Sequence, residues 1–166
     1  VELAPSHRTP RGALPVDYEF LLDDVTAGET ILLADGAAEL EVAEVRADRL
    51  VCRVLNGGLL ASRKGVNLPE AKLRVPAVTD KDIADLEAGL EEGVDVVALS
   101  FVRHENDLQP VLDRVAELEH PPLVTAKIEK PQAVERIEPI LAAVDAVMVA
   151  RGDLGVEMPP EKVPVI

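Results

Sequence analysis

The segments VTAKIEKPQ (Val124–Gln132) and VMVARGDLGVEMP (Val147–Pro159) decide how this chain reads. Each is an apolar run that ends in charge. The first sets Lys127 two residues before Glu129, and the second sets Asp153 between Gly152 and Leu154. Alternate residues of a strand point the same way, so Lys127 and Glu129 share a face. A Pro131-marked helical piece follows, which puts both at the C-terminal end of their strand. Asp153 lies just past the end of the next one. Parallel neighbours run about 4.8 Å apart, so Glu129 and Asp153 are expected to reach one small ion together.

Working outward, Thr79 with Asp82 forms a capping box. Ile83, Leu86 and Leu90 follow at helical spacing, and Gly93 stops the helix. VDVVALSF (Val94–Phe101) is a continuous apolar run, as expected of a strand covered on both faces. A second helix carries Leu108, Val111, Leu112, Val115 and Leu118, with Pro110 in its first turn. PPLVTAKIE (Pro121–Glu129) is the next strand. KPQAVERI and PILAAV are two helical pieces, opened by Pro131 and Pro139. DAVMVARGD (Asp145–Asp153) is the third strand. Alternating helices and strands predict an α/β fold with three parallel strands side by side. In barrels of this kind the active site sits at the C-terminal rim.

The first part reads as β. ETILLADGAAELEVAEV (Glu29–Val45) has two apolar-rich runs around Asp35-Gly36, a hairpin signal. DRLVCRVLNGG (Asp48–Gly58) follows, with Leu50, Cys52 and Val54 on one face. The pattern changes between Lys72 and Pro76, which divides the chain into 1–75 and 76–166.

The chain has 166 residues, 48% hydrophobic and 29% charged, with only 2% aromatic. Its cores must therefore be built from Leu, Val, Ile and Ala. A net charge of −14 argues against nucleic acid or an anionic membrane as partner, although a few local cations still suffice for a phosphate. The lone Cys52 reads as a small buried hydrophobe in a reducing cytoplasm. No apolar run of about 18 residues predicts a membrane helix. The first residues, VELAPSHRTPRG, contain no signal-peptide core, and the missing initiator Met suggests a processed or partial chain.

Two carboxylates with ligand oxygens suit Mg²⁺, whereas no His or Cys set suits zinc. His7, His104 and His120 read as solvated. Lys127 adds the second cation that phosphoryl transfer uses. Gly152 allows a ligand close to the backbone, and its amide and that of Asp153 could hold an anion. Taken alone, the Lys127/Glu129 pair is a weak signal that reads more often as an ordinary surface ion pair; the combination with Asp153 on the next strand end carries the reading. The RGD tripeptide at Arg151–Asp153 follows a buried strand, unlike an adhesion loop.

The stretch TAKIEKPQAVERIEPILAAVDAVMVARGDLGVEMPPEKV closely resembles the metal- and phosphate-binding segment of pyruvate kinase. RKGVNLP, LRVPAVTDKDIADL and GVDVVALSFVR resemble the segment before it, and ILLADGAAELEV and CRVLNGG resemble the second half of that family's inserted β domain. The resemblance runs from about Leu14 to Ile166. It implies a partial (β/α)₈ TIM barrel of about three βα units at 76–166, with part of a small all-β lid domain at 1–75. The family moves a phosphoryl group from phosphoenolpyruvate to ADP, giving pyruvate and ATP in cytoplasmic glycolysis, usually as a homotetramer. The resemblance implies Glu129 and Asp153 as ligands of Mg²⁺ or Mn²⁺. It implies Lys127 as the catalytic cation on the phosphoryl group and enolate, Gly152 and Asp153 amides on the substrate carboxylate, and Lys64 on the nucleotide or transferred phosphate.

Glu70 stands where the family usually has Gly, and Ala34 where an acid is common. Nothing matches the family's first three barrel strands, with their substrate-binding arginine and K⁺ ligands, or its later catalytic threonine and effector domain. The expectation is a fragment that does not turn over substrate by itself. Two other readings stay open. One is a Mg²⁺-dependent aldolase or lyase of the phosphoenolpyruvate/pyruvate barrels. The other is a non-catalytic interaction remnant.

Overall fold

The chain reverses at Ala34–Ala37, where Ala34, Asp35 and Gly36 all have positive φ (53°, 57° and 83°). In the computed structural model, which describes residues 1–159 and 161–166, this turn joins two strands of a six-stranded sheet. The strands are β1 (Glu2–Pro5), β2 (Leu14–Val16), β3 (Thr30–Leu33), β4 (Ala38–Val45), β5 (Leu50–Asn56) and β6 (Val66–Asn67). A short helix, α1 (Leu21–Asp24), lies between β2 and β3. The order in the sheet is β2-β1-β5-β4-β3-β6, with β1 and β2 parallel and the other pairs antiparallel.

One apolar cluster fills this unit, including Leu3, Val16, Leu21, Ile31, Leu40, Val42, Leu50 and Cys52. Cys52 is buried and unpaired, as its sequence context suggested. The opening residues, unassigned from sequence, supply β1, which pairs Glu2 with Val51 and Leu3 with Leu50. The expected alternation of Leu50, Cys52 and Val54 holds only for the first two. Val54 is exposed. Register shifts between β4 and β5, at Glu39/Leu40 and Val42/Glu44, break the strict period of two.

The chain divides into two compact units, Val1–Arg74 and Val75–Ile166. The second mixes helices and a parallel sheet. Helices α2 (Asp80–Glu91), α3 (Gln109–Val115), α4 (Pro131–Glu135), α5 (Ile137–Ala143) and α6 (Arg151–Glu157) alternate with strands β7 (Val96–Leu99), β8 (Leu123–Ile128) and β9 (Ala146–Val149). The capping box opens α2 as expected. Thr79 N donates to Asp82 Oδ2 at 2.8 Å, and Asp82 N donates to Thr79 Oγ1 at 3.2 Å. Gly93, at φ 75°, follows its end. Pro110 sits in the first turn of α3, whose backbone amides lack helical partners anyway. The helix is shorter than its apolar pattern implied: Leu118 lies in the turn beyond it, exposed.

The three strands pair in the order β7-β8-β9, all parallel, with Leu99 opposite Ala126 and Lys127 opposite Met148. Burial corrects the expectation that the Val94–Phe101 run is a strand covered on both faces, and in β8 one face alone is apolar. In β8, Val124, Ala126 and Ile128 are fully packed against Leu108, Val111, Ala133 and Ile140. Its other face carries Thr125 and Lys127, with Glu129 continuing the row. In the outer strands, Val96 is 52% and Met148 50% exposed, because each has a strand on one side only among the described residues. The third strand is also shorter than read. It stops at Val149, and Arg151 begins α6, so Gly152 and Asp153 are helical.

The loop after β7 is closed by Asp107, which is buried. Its Oδ2 accepts from Arg103 N at 2.9 Å, and its Oδ1 from Arg103 Nη2 at 3.2 Å. Burial pushes the Asp107 carboxyl up, but the Arg103 hydrogen bonds and charge outweigh it and hold it below its ordinary range. A depressed carboxyl stabilises the fold above its unfolded value, about pH 3.9, and loses that contribution as pH falls through the folded value. Circular dichroism against pH should therefore show stability dropping below about pH 4. Asp107→Asn should be less stable at neutral pH and show a shallower acid drop.

Candidate functional site

The polar row on β8 converges at its C-terminal end. Glu129 is 1% exposed, and an isolated ionised carboxylate could not survive there. It has two partners. The Lys127 ammonium pairs with Oε1, and the Phe101 amide donates to Oε2 at 2.7 Å. Lys127 also donates to Ser100 Oγ at 2.9 Å. The parallel register explains these contacts: Leu99 faces Ala126, so the residues just past β7 meet Lys127 and Glu129. Phe101 has φ 57°, a conformation that costs a non-glycine residue about 1–2 kcal/mol. It aims the amide at the buried carboxylate.

Lys127 and Glu129 thus share a face, as the two-residue spacing required. Asp153 differs from the expected picture. It is the third residue of α6 and exposed, whereas Glu129 is interior. Among the described residues no group of three or more His, Cys, Asp or Glu side chains could hold a metal. Gly152 has room around it: an added Cβ would meet nothing within 4 Å. Packing therefore does not explain the glycine. Lys64 belongs to the first unit, exposed beside Arg63, whose φ is 61°. The groove there, about 440 Å³, is lined by Leu14, Val16, Leu60, Ser62, Arg63 and Lys64 among others. The three histidines are exposed.

Several residues of the site escaped sequence reading. Ser100 and the Phe101 amide were hidden in an apolar run, and only the register of β7 on β8 exposes them. Lys130 and Glu157 form a further ion pair, nearly closed to solvent on the carboxylate side (3% exposed). Their partnership spans 27 positions and leaves no local pattern.

Comparison with known proteins gives this arrangement its family. The profile described as pyruvate kinase, barrel domain, matches residues 4–166. The chain belongs to the pyruvate kinase family. Pyruvate kinase 2 of Synechocystis sp. is 50% identical over 153 residues, 91% of this chain and 26% of that protein. The pyruvate kinase of Mycobacterium tuberculosis is 46% identical over 149 residues, 90% of this chain and 32% of the relative. That of Thermococcus litoralis is 44% identical over 153 residues, again 32% of the relative. The chain spans between a quarter and a third of the length of these pyruvate kinases. The membership sets aside the aldolase or lyase reading. No helix among the described residues is long and apolar enough to cross a membrane.

Removing Glu129 strips Lys127 of its counter-charge and leaves the Phe101 amide without its acceptor. Lys127 keeps a quarter of its side chain in solvent, which softens the loss. Glu129→Ala should destabilise the chain by about 1–3 kcal/mol, read by chemical denaturation. Glu129→Gln, which retains an oxygen acceptor, should cost less.

Proposed function

We propose that this chain forms the metal- and phosphate-handling part of a pyruvate kinase, acting on phosphoenolpyruvate and ADP in cytoplasmic glycolysis. The observation that carries this reading is the Lys127–Glu129 pair at the C-terminal end of β8, beside Ser100 and Phe101, in a chain of this family. On this reading the second unit is about three βα units of the family's (β/α)₈ barrel, and the first is part of its β lid domain. The family's homotetramer and its K⁺ requirement come with the proposal, with K⁺ ligands drawn from outside this chain.

The donor chemistry fits the implied metal. Glu129 and Asp153 would hold Mg²⁺, or Mn²⁺, through oxygen alone. Mg²⁺ takes few protein carboxylates and keeps several waters, so a site with two acids suffices. The ion, when bound, supplies positive charge to the phosphoryl oxygens.

The chain's own residues account for the rest. The Lys127 ammonium would stand against the oxygen that bridges carbon and phosphorus in phosphoenolpyruvate. As that P–O bond breaks and a new one forms to the terminal phosphate oxygen of ADP, negative charge collects on the enolate oxygen. A fixed cation there stabilises the transition state more than the ground state. Protonation of the enolate carbon then gives pyruvate. The Gly152 and Asp153 amides, in the first turn of α6, would hold the substrate carboxylate. The open space around Gly152 supports this, because a side chain there would occupy the ligand's approach. Lys64 would meet the nucleotide or the transferred phosphate.

The purified chain should bind Mn²⁺ saturably in electron paramagnetic resonance titrations. Glu129→Gln and Asp153→Asn should each weaken that binding at least tenfold, and equal binding by both variants would overturn the assignment. Gly152→Ala should hold or slightly raise the thermal midpoint while weakening phosphoenolpyruvate or oxalate at least tenfold. Steady ATP production from the 166-residue chain alone, in a coupled assay free of host enzyme, would refute the expectation that it is inactive by itself.

A further inference from the structure

Asp153 is exposed on a helix of seven residues, yet a metal ligand must be held in one direction. The other end of that helix is pinned. Glu157 is four residues on, so it lies on the same face of α6 as Asp153. Its buried carboxylate is paired with Lys130, the residue directly after Glu129. The Lys130 ammonium also lies 5.6 Å from the centre of the Phe101 ring, within cation–π range. Phe101 in turn gives its amide to Glu129. Leu154, fully buried, anchors the adjacent face of α6.

These contacts form one connected path: Glu129 to the Phe101 backbone, the Phe101 ring to Lys130, Lys130 to Glu157, and along α6 to Asp153. A buried ion pair is a weak source of net stability, since a well-packed apolar pair does as well. It does fix geometry. Held at Glu157 and Leu154, α6 has little freedom to roll about its axis. The direction of Asp153 is then set relative to the end of β8.

We propose that Lys130 and Glu157 are positioning residues that hold Asp153 in register with Glu129 for divalent-metal binding. The inference rests on the reading of Glu129 and Asp153 as the metal pair. It concerns neither ligand directly: both residues act through the helix between them and Asp153.

The test is Mn²⁺ titration of the full chain as wild type, Lys130→Met, Glu157→Gln, the charge-swapped double variant Lys130→Glu/Glu157→Lys, and Glu129→Gln. Amide hydrogen exchange of residues 151–157 and of β8 is measured on the same samples. Each single variant should weaken Mn²⁺ at least fivefold and speed exchange in 151–157, with β8 still protected. The charge swap should recover most of the affinity, which a merely destabilising change would not allow. If both single variants bind Mn²⁺ like wild type while Glu129→Gln does not, the positioning role is wrong and the metal site stands. If Glu129→Gln also binds like wild type, the metal reading falls and this role falls with it.

Discussion

A carboxylate sealed from water governs the second unit. At the end of β8 the Glu129 carboxylate is buried, and an ammonium and an amide meet its two oxygens. Both demands propagate. The ammonium must come from the same face of the same strand, which Lys127 satisfies at a spacing of two. The amide comes from Phe101, just past the end of the neighbouring strand β7, where the backbone is left-handed. Ser100 then holds Lys127 from the same side. Two residues at the end of β8 and two just past β7 are thereby committed before any ligand arrives.

The sheet is arranged to make this possible. The central strand presents Val124, Ala126 and Ile128 to the helices and Thr125, Lys127 and Glu129 to the opposite side. An apolar face packs the strand, and a polar face serves it. Such a division suits a parallel sheet whose functional residues gather at the C-terminal ends of its strands. The helices after those ends, α4 and α6, start close to the charged residues and carry the remaining contacts, Lys130 at the N-cap of α4 and Glu157 in the last turn of α6.

Much of this was legible in the sequence, for local reasons. The capping box at Thr79, the turn at Asp35-Gly36 and the stop at Gly93 are encoded in a few adjacent residues. The Lys127/Glu129 partnership follows from strand period alone. The family resemblance, carried by RKGVNLP and VARGDLGVE, was equally readable. What escaped was either non-local or one-sided. Pairing of β1 with β5 joins residues far apart in sequence. Ser100 and Phe101 gained their roles from register, and Glu157 from a partner 27 positions away. The runs at Val96 and Met148 are apolar enough for interior strands, yet their burial depends on neighbours that sequence periodicity does not reveal. At Arg151, an apolar run leading into charge looked like more strand, but the chain turned into helix there.

The pairing of β1 with β5 has a consequence for how the first unit comes into being. Glu2 and Leu3 find their partners at Val51 and Leu50, after the chain has already run through β2, β3 and β4. A hairpin such as β3–β4 closes a short loop, whereas β1 must wait for a long one, at greater entropic cost. Leu3, which is fully buried, therefore gains its cover from β5 only once that longer loop has closed. Until then the β5-facing edge of β1 offers apolar side chains and unpaired backbone groups to any passing strand, so the unit's exposure to misassociation lasts as long as its slowest pairing.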